Sequence, residues 1–293
     1  MRKAFVEVID DVMKNDLRLV LILGDIGVHG FRKTFESFPD RTFNIGILEQ
    51  SMVSLASGLS KEGMIPVLHT IAPFMVERAF EQIKIDFAYQ RMRGNFVSVG
   101  ASFDYASLGC THHCPGDVGI LLNIPNIQIV VPGTAQEFKD LFLETYENPD
   151  VTYFRLSENQ NSASLRVKMG KGLCLQEGGG ATVISVGPTL DIVLESCAGL
   201  DVEIIYLSTI RPLDEDLIRQ KCKSGKVLLV EPYYAGALLP DLITALSGRS
   251  IQFELIGVPH EFLSNYGLAQ EHAEKIGLTA RNIRNQIVKL IHG

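Results

Sequence analysis

Short apolar runs alternate with amphipathic helical patterns along almost the whole chain, and this alternation constrains the fold more than any other feature. In the first half the runs are apolar on both faces, which is typical of strands buried inside a parallel sheet. These runs are 18–23, 43–45, 65–69, 95–100, 127–131 and 151–156. The amphipathic patterns between them predict helices that cover the sheet on both sides. The first half is therefore predicted to be a doubly wound α/β domain.

A second α/β domain is predicted after a polar stretch. From Ser157 to Gly180 the apolar pattern weakens, and the stretch ends in three consecutive glycines. We expect the domain boundary there, because exposed linkers are rich in glycine and polar residues. Beyond it the alternation restarts, with strands predicted at 182–186, 203–207, 226–230 and 252–256. The predicted organisation is one domain at 1–160, a linker at 161–180 and a second domain at 181–293.

Charge and hydropathy argue against two classes of partner. The 293 residues carry a formal net charge of −7 and no stretch clusters Lys and Arg with aromatic residues, so no nucleic acid partner is expected. The longest purely apolar run, Leu19 to Leu23, is far shorter than a membrane span, and the start of the chain does not match a signal peptide. The five cysteines form no CxxC pair and suit a reducing compartment. We expect a cytoplasmic protein with no membrane partner.

One carboxylate follows a predicted strand at a position where it has two possible roles. The run Phe43 to Ile45 ends at Gly46, and Glu49 then falls in the first turn of a helix whose apolar residues repeat at three-to-four spacing until Gly63. The helix dipole alone favours a carboxylate there, which leaves a structural role open. The alternative is that Glu49 carries the chemistry of the protein.

Polar residues also follow two other strands. Asp25 comes shortly after the strand that ends at Leu23, and ligands in doubly wound sheets bind beyond the carboxyl ends of strands. A turn aspartate that bonds its own backbone is the alternative for this residue. The loop 101–117 has no periodic pattern and contains His112 and His113. Long loops in compact domains are usually functional, so both histidines are candidate site residues.

Metal and nucleotide motifs are weak or missing. The segment Cys110-Thr-His112-His113-Cys114 resembles a zinc-binding cluster. Adjacent ligands of this kind usually need a second cluster to complete a tetrahedron, and the sequence shows none. It also contains no glycine-rich dinucleotide loop, no P-loop lysine motif and no nucleophile-elbow serine motif. Neither a nucleotide-binding protein nor a serine hydrolase is therefore favoured.

With these residues placed, essentially the whole chain resembles the C-terminal part of the transketolase-like thiamine diphosphate enzymes. The resemblance rests on the order and spacing of short motifs in both predicted domains. These motifs are Gly24-Asp25, Gly46-Ile47-Leu48-Glu49-Gln50, Phe74 with Arg78-Ala79-Phe80-Glu81-Gln82, Thr111-His112, Ile124-Pro125-Asn126, Thr209-Ile210-Arg211-Pro212-Leu213-Asp214 and Val230-Glu231. The fold that the resemblance implies is a pyrimidine-binding domain followed by a transketolase C-terminal-type domain.

The resemblance implies a role for each of four residues in thiamine diphosphate chemistry. Glu49 would hydrogen-bond the ring nitrogen of the cofactor's aminopyrimidine, which favours the tautomer that removes the proton from the thiazolium carbon. Phe74 would pack on the pyrimidine, and Asp25 would lie near the thiazolium. His112 would face the substrate as a proton donor or acceptor.

The resemblance also implies a partner subunit. Transketolases hold the cofactor's diphosphate through Mg²⁺ with a Gly-Asp-Gly…Asn motif in an N-terminal domain, and this sequence has no such arrangement. The chain would then be the β-type subunit of a split enzyme, whose α-type subunit carries the diphosphate domain and the Mg²⁺ ligands. An α₂β₂ assembly with the cofactor between the chains would follow.

Three positions depart from the family pattern near the substrate. Leu108 stands where many transketolases have an acidic residue, and His29 stands where the family often has a small polar one. Glu158 takes the place of a basic residue that grips sugar phosphate, which turns attraction into repulsion. We therefore expect an acceptor without a phosphate at that end, such as a nucleotide-linked or otherwise modified sugar. The residues expected to contact substrate or to replace the missing cation are His29, Arg32, His113 and Arg155.

The predicted function is the transfer of a two-carbon ketol unit from a ketose to an aldehyde or sugar acceptor. The second hypothesis is a β subunit of a decarboxylating 2-oxoacid enzyme or of a deoxyxylulose-phosphate-synthase-like enzyme, although the Thr111-His112-His113 loop looks closer to transketolase than to the oxoacid dehydrogenase β subunits. The third is a non-catalytic copy that keeps the fold for assembly. Retention of Glu49, Asp25 and His112 together argues against the third, since a structural copy has no physical need for all three.

Overall fold

A computed structural model describes residues 1–292 and places the first six strands in one parallel arrangement. These strands are β1 (Leu19–Leu23), β2 (Thr42–Asn44), β3 (Ile65–Ile71), β4 (Gly94–Val99), β5 (Gln128–Val130) and β6 (Val151–Arg155). All their pairings with one another are parallel. Strands β1, β3, β4 and β6 are buried along their whole length, as their uninterrupted apolar runs predict.

Helices cover both faces of this sheet. They are α1 (Arg2–Asn15), α2 (Arg32–Ser37), α3 (Glu49–Lys61), α4 (Ala72–Val76), α5 (Phe80–Gln82), a π-helix (Ile83–Tyr89), α6 (Asp117–Leu121) and α7 (Ala135–Thr145). Leu21 of β1 packs in an apolar cluster with α1 and α7, whereas its neighbour Ile22 packs in a second cluster with α3. Successive strand residues point to opposite faces, so the two clusters are the two buried faces of one sheet.

The second half forms its own sheet, in the order β12-β11-β8-β9-β7. Its strands are β7 (Leu173–Gln176), β8 (Ala181–Val186), β9 (Val202–Leu207), β10 (Thr209–Arg211), β11 (Lys226–Tyr234) and β12 (Gln252–Val258), of which β10 belongs to the first sheet. Its helices are α8 (Leu190–Cys197), α9 (Glu215–Lys221), α10 (Leu239–Ala245), α11 (Ala269–Ile276) and α12 (Ala280–His292). The predicted fold class, two doubly wound α/β domains, is confirmed.

The two halves are joined by more than a linker. Strand β10 leaves the second half and pairs antiparallel with β5, which makes the first sheet seven-stranded. One apolar cluster contains Ile129 of β5 together with Ile184 of β8 and Leu207 of β9. Residues of both halves therefore share one core. The domain limits expected from the sequence stay a prediction.

Three local features differ from the sequence-based expectations. Strand β7 lies inside the segment predicted as a linker, where it forms the antiparallel edge of the second sheet. The single helix expected after Pro73 is broken at residues 77–79 and continues as a π-helix. Helix α11 was not predicted. Within residues 1–292 no helix is long and apolar enough to cross a membrane, and all five cysteines are free thiols.

The winding of the first sheet reverses at β1. Strand β2 lies on one side of β1 and strand β3 on the other. In open α/β sheets such a reversal leaves a crevice beyond the carboxyl ends of the two diverging strands. The segments that leave the sheet there are 24–25 after β1 and α4 after β3.

Candidate active site

Glu49 begins α3 at this crevice, and its side chain is buried. The turn before it passes through Gly46, whose φ of 78° lies in the left-handed region that glycine adopts without strain. Glu49 is only 1% exposed. Its Oε2 accepts a hydrogen bond of 2.7 Å from Nη1 of Arg78, and its Oε1 accepts a longer one of 3.5 Å from Thr70 Oγ1. A first-turn glutamate that only serves the helix dipole has no reason to be buried against two other elements, so the geometry favours a functional role.

Thr70 and Gly24 bring the end of β3 against the end of β1. Thr70 donates a 3.4 Å hydrogen bond to the carbonyl oxygen of Gly24. A Cβ added at Gly24 would lie 3.1 Å from the Thr70 side chain, so a larger residue would push the two strand ends apart. Glycine at 24 therefore permits the close approach that places Thr70 beside Glu49.

Asp25 is held in an unusual backbone conformation by Asn44. Its φ is 58°, a value that non-glycine residues adopt rarely. The backbone N–H of Asp25 donates to Asn44 Oδ1 at 3.0 Å, and Asn44 Nδ2 donates back to Asp25 Oδ1 at 3.0 Å. Asn44 ends β2, so the reciprocal pair ties β1 to β2. The Asp25 side chain stays exposed at the crevice.

Phe74 contacts both Arg78 and His112. The Cζ atom of Arg78 lies 4.2 Å from the centroid of the Phe74 ring. The His112 ring meets Phe74 edge to face, with 5.4 Å between ring centroids, and His112 Nδ1 lies 3.0 Å from Thr111 Oγ1. The structure thus brings the predicted residues Glu49, Phe74 and His112 together through Arg78. Sequence reasoning gave no role to Arg78 or Thr70; the four-residue spacing between Phe74 and Arg78 was the available signal.

His113 faces a different part of the molecule from His112. It is buried against His272 of α11, with 5.3 Å between ring centroids. Burial, followed by the neighbouring His272 and His112, lowers the pKa of His113. Within residues 1–292 neither ring nitrogen of His113 has a hydrogen-bond partner. The structure therefore does not bring His113 to the Glu49 cluster.

Arg155 is fully buried in an ion pair. Its Nε donates to Asp117 Oδ2 at 2.7 Å, and its Nη2 donates to Ser102 Oγ at 2.7 Å. Arg155 also lines a cavity of about 540 Å³, together with Asp104 and Glu158. Burial raises the pKa of Asp104 to about 6. The positive charge of Arg155 is therefore already neutralised by Asp117.

His29 lies at a separate cavity. This space of about 600 Å³ is also lined by Arg2, Lys33 and His69. Arg32 pairs with Glu36 across an exposed helical turn, at 3.9 Å. Neither His29 nor Arg32 belongs to the cluster around Glu49.

The cysteine–histidine segment does not form a metal site in the part of the chain that the structure describes. No group of three or more His, Cys, Asp or Glu side chains in residues 1–292 is arranged to hold a metal ion. Cys114 is buried and its thiol donates to Glu77 Oε1 at 3.6 Å. Cys110 is exposed, so the two cysteines have different surroundings.

Fold and site together define a two-domain α/β protein with a ligand site at the switch point of its first sheet. Two family models match the chain, the transketolase pyrimidine binding domain over residues 1–162 and the transketolase C-terminal domain over residues 170–283. The chain belongs to the transketolase family. The family predicted from its motifs is thereby confirmed.

Relatives and a solved structure match the chain over nearly its whole length. An uncharacterised 33.6 kDa protein of the fasciation locus of Rhodococcoides fascians is 38% identical, over 97% of this chain and 92% of its own. One of the two subunit types of the apulose-4-phosphate transketolase of Phocaeicola vulgatus is 26% identical, over 94% and 96%. A solved structure described as a split-gene transketolase in an inactive β4 tetramer is 25% identical, covers 99% of this chain and 97% of its own, and superposes with a TM-score of 0.87.

Proposed function

We propose that this chain is the β-type subunit of a split, thiamine diphosphate-dependent transketolase-like transferase. Its reaction is the transfer of a two-carbon ketol unit from a ketose donor to an aldehyde or sugar acceptor. The observation that carries the proposal is the buried carboxylate of Glu49, linked through Arg78 to Phe74 and His112 at the switch point of the first sheet. The nearly full-length match to a relative that is named as one subunit of a transketolase supports it.

The residues around Glu49 fit the pyrimidine half of thiamine diphosphate. A buried carboxylate offers an acceptor for a protonated ring nitrogen, and an aromatic side chain beside it offers a surface for a planar ring. The bound cofactor supplies the centre that stabilises the carbanion. Glu49 holds the proton on the ring nitrogen, Thr70 orients the carboxylate, and His112 exchanges a proton with the substrate. The exposed Asp25 is placed to contact the thiazolium side.

We propose that a partner completes the site. The sequence lacks the diphosphate motif of the family, so an α-type subunit would supply the diphosphate domain and the Mg²⁺ ligands. An assembly with α₂β₂ stoichiometry would place the cofactor between the chains. The free state of all five cysteines agrees with a cytoplasmic enzyme.

The substrate is proposed to lack a phosphate at its distal end. Strands β4 and β6 end at the same edge as β1 and β3, and the cavity beyond them is lined by the acidic residues Asp104, Glu158 and Glu274. The cation at this cavity, Arg155, is consumed by its buried partner Asp117. A phosphate would meet net negative charge there, whereas a neutral sugar hydroxyl would find several acceptors.

A near-ultraviolet circular dichroism titration tests the proposal. Thiamine diphosphate and Mg²⁺ are added to the chain alone and to the chain mixed with a transketolase N-terminal-type subunit from the same genome, after gel filtration has confirmed the complex. The chain has no tryptophan, so a cofactor band is easily resolved. We expect a saturable band only in the mixture. Its absence from a proven complex would favour the non-catalytic alternative.

The reaction class needs its own measurement. The loaded complex is given a ketose donor with an aldehyde acceptor, and separately pyruvate. Ketol transfer without release of CO₂ is the expected result. Release of CO₂ from pyruvate would instead support the decarboxylating or deoxyxylulose-phosphate-synthase-like alternative.

A further inference from the structure

A single guanidinium covers both surfaces that the cofactor's pyrimidine needs. Arg78 Nη1 donates to Glu49 Oε2 at 2.7 Å, and Arg78 Cζ lies 4.2 Å from the centre of the Phe74 ring. These are the carboxylate and the aromatic surface assigned above to the cofactor. Arg78 comes from the break between α4 and α5, at residues 77–79, so it belongs to neither helix.

A guanidinium and a protonated aminopyrimidine make the same two kinds of contact. Both are planar and delocalised, both present N–H donors in the plane, and both stack on aromatic faces. The Glu49 carboxylate is 1% exposed, which leaves little room for two partners at one oxygen. Arg78 and the pyrimidine therefore exclude each other at Glu49 Oε2 and on the covered face of Phe74.

We infer that Arg78 occupies the pyrimidine position in the free chain and must leave it before the cofactor binds, so that Arg78 sets the cofactor affinity. The inference rests on the proposed function, because it takes Glu49 and Phe74 as the pyrimidine site. It assigns Arg78 a role that opposes binding, in contrast to the other residues of the cluster.

The surroundings of Arg78 explain both why it is there and how it leaves. A buried carboxylate without a partner is costly, so the guanidinium stabilises the chain while the cofactor is absent. Its side chain is 37% exposed, so part of the guanidinium is already hydrated. When Arg78 swings outward it exchanges a partly screened ion pair and a cation–π contact for water. The pyrimidine then takes over the carboxylate.

Two measurements on Arg78→Gln separate this role from a purely structural one. Isothermal titration of thiamine diphosphate at fixed Mg²⁺ into the complex with the α-type subunit gives the cofactor Kd, and thermal unfolding of the free chain gives its stability. We expect the variant to bind the cofactor about five- to tenfold more tightly, the ratio expected from losing one partly exposed ion pair and one cation–π contact. The free variant should unfold at a lower temperature than the wild type.

Three further variants make the result interpretable. Arg281→Gln removes an exposed arginine of α12 and should change neither quantity. Arg78→Lys keeps the charge but not the planar fork, so its cofactor Kd should lie between those of the wild type and Arg78→Gln; this variant serves if Arg78→Gln does not fold. Glu49→Gln should bind the cofactor more weakly than the wild type.

The possible outcomes are distinct. Weaker or unchanged cofactor binding by Arg78→Gln, with the wild-type complex binding normally, overturns the inference and leaves the proposed function standing. A wild-type complex that forms but binds no cofactor removes the proposed function, and the inference with it. Tighter binding together with a less stable free chain supports both.

Discussion

Arg155 and Asp117 form an ion pair that is removed from solvent, with 1% and 0% of their side chains exposed and 2.7 Å between Nε and Oδ2. Asp117 starts α6, directly after the loop 101–117 that carries His112, and Arg155 ends β6. Tyr153 also donates to Asp117, at 2.9 Å. The pair therefore fastens the end of the histidine loop to the sheet, and the charge of Arg155 is directed inward.

Breaking this pair should destabilise the fold strongly. Removing one member of a buried ion pair leaves the other charge without compensation, which costs about 3–5 kcal/mol. We expect Asp117→Asn and Arg155→Met each to lower the free energy of unfolding by that order in urea titrations. Asp241→Asn is the matched control, because the Arg211–Asp241 pair has 31% of each side chain exposed and should cost about 1 kcal/mol or less. A stable Arg155→Met variant with a raised KM would instead support a substrate contact for Arg155.

Glu49→Gln should abolish most turnover without unfolding the chain. The amide keeps the size of the side chain but cannot hold a proton on the ring nitrogen, so we expect kcat to fall by at least about 100-fold. Steady-state kinetics of the reconstituted complex measure the loss, and circular dichroism verifies the fold. Glu215→Gln is the control, since Glu215 also stands in the first turn of a helix and pairs with an arginine, but at an exposed position. Equal activity of the two variants would contradict a catalytic role for Glu49.

Sequence patterns were sufficient for the framework of the fold. The uninterrupted apolar runs of β1, β3, β4 and β6 identified strands buried on both faces, and the helical repeat starting near Glu49 identified α3. Strand β10 was missed because three residues are too few to show a period, and its pairing with β5 depends on a contact about 80 residues away in the sequence. Local patterns carry no information of that range.

The site was predictable where a motif named a residue and not where a distant partner decided its role. Glu49, Phe74 and His112 were predicted and lie together. Arg155 was expected to offer a free cation, but Asp117, 38 residues earlier, neutralises it. Nothing in a linear pattern shows that a charge 38 residues away is buried against it, because that contact is made by the fold.

The buried His69 should make stability fall at acidic pH. Burial lowers its pKa to about 4, whereas an unfolded histidine titrates near 6.5. Between these values the unfolded chain binds a proton that the folded chain does not, so stability is fully present above about pH 6.5 and decreases towards pH 4, by at most about 3 kcal/mol. The Nδ1 atom of His69 lies 2.7 Å from the carbonyl oxygen of Val97, a bond that an asparagine amide can replace.

Urea unfolding of His69→Asn at several pH values measures this contribution. The variant should lose less stability than the wild type between pH 6.5 and 4, because one titrating group has been removed. His29→Asn removes an exposed histidine and should keep the wild-type profile. Identical profiles for wild type and His69→Asn would show that other groups cause the acid sensitivity.

Glu158 should determine whether the enzyme accepts phosphorylated substrates. It is exposed at the rim of the cavity that also contains Asp104 and Glu274, so a phosphate there meets like charge. Glu158→Arg reverses one charge and should raise kcat/KM for glyceraldehyde 3-phosphate relative to glyceraldehyde by about tenfold, with Glu158→Gln between. Because the residue is exposed, the effect should shrink as ionic strength rises. Glu62→Arg makes the same charge change at an exposed position outside the cavity and should leave the ratio unchanged. If the wild-type complex already prefers the phosphorylated aldehyde, Glu158 does not repel the phosphate, and the proposal of an acceptor without phosphate fails.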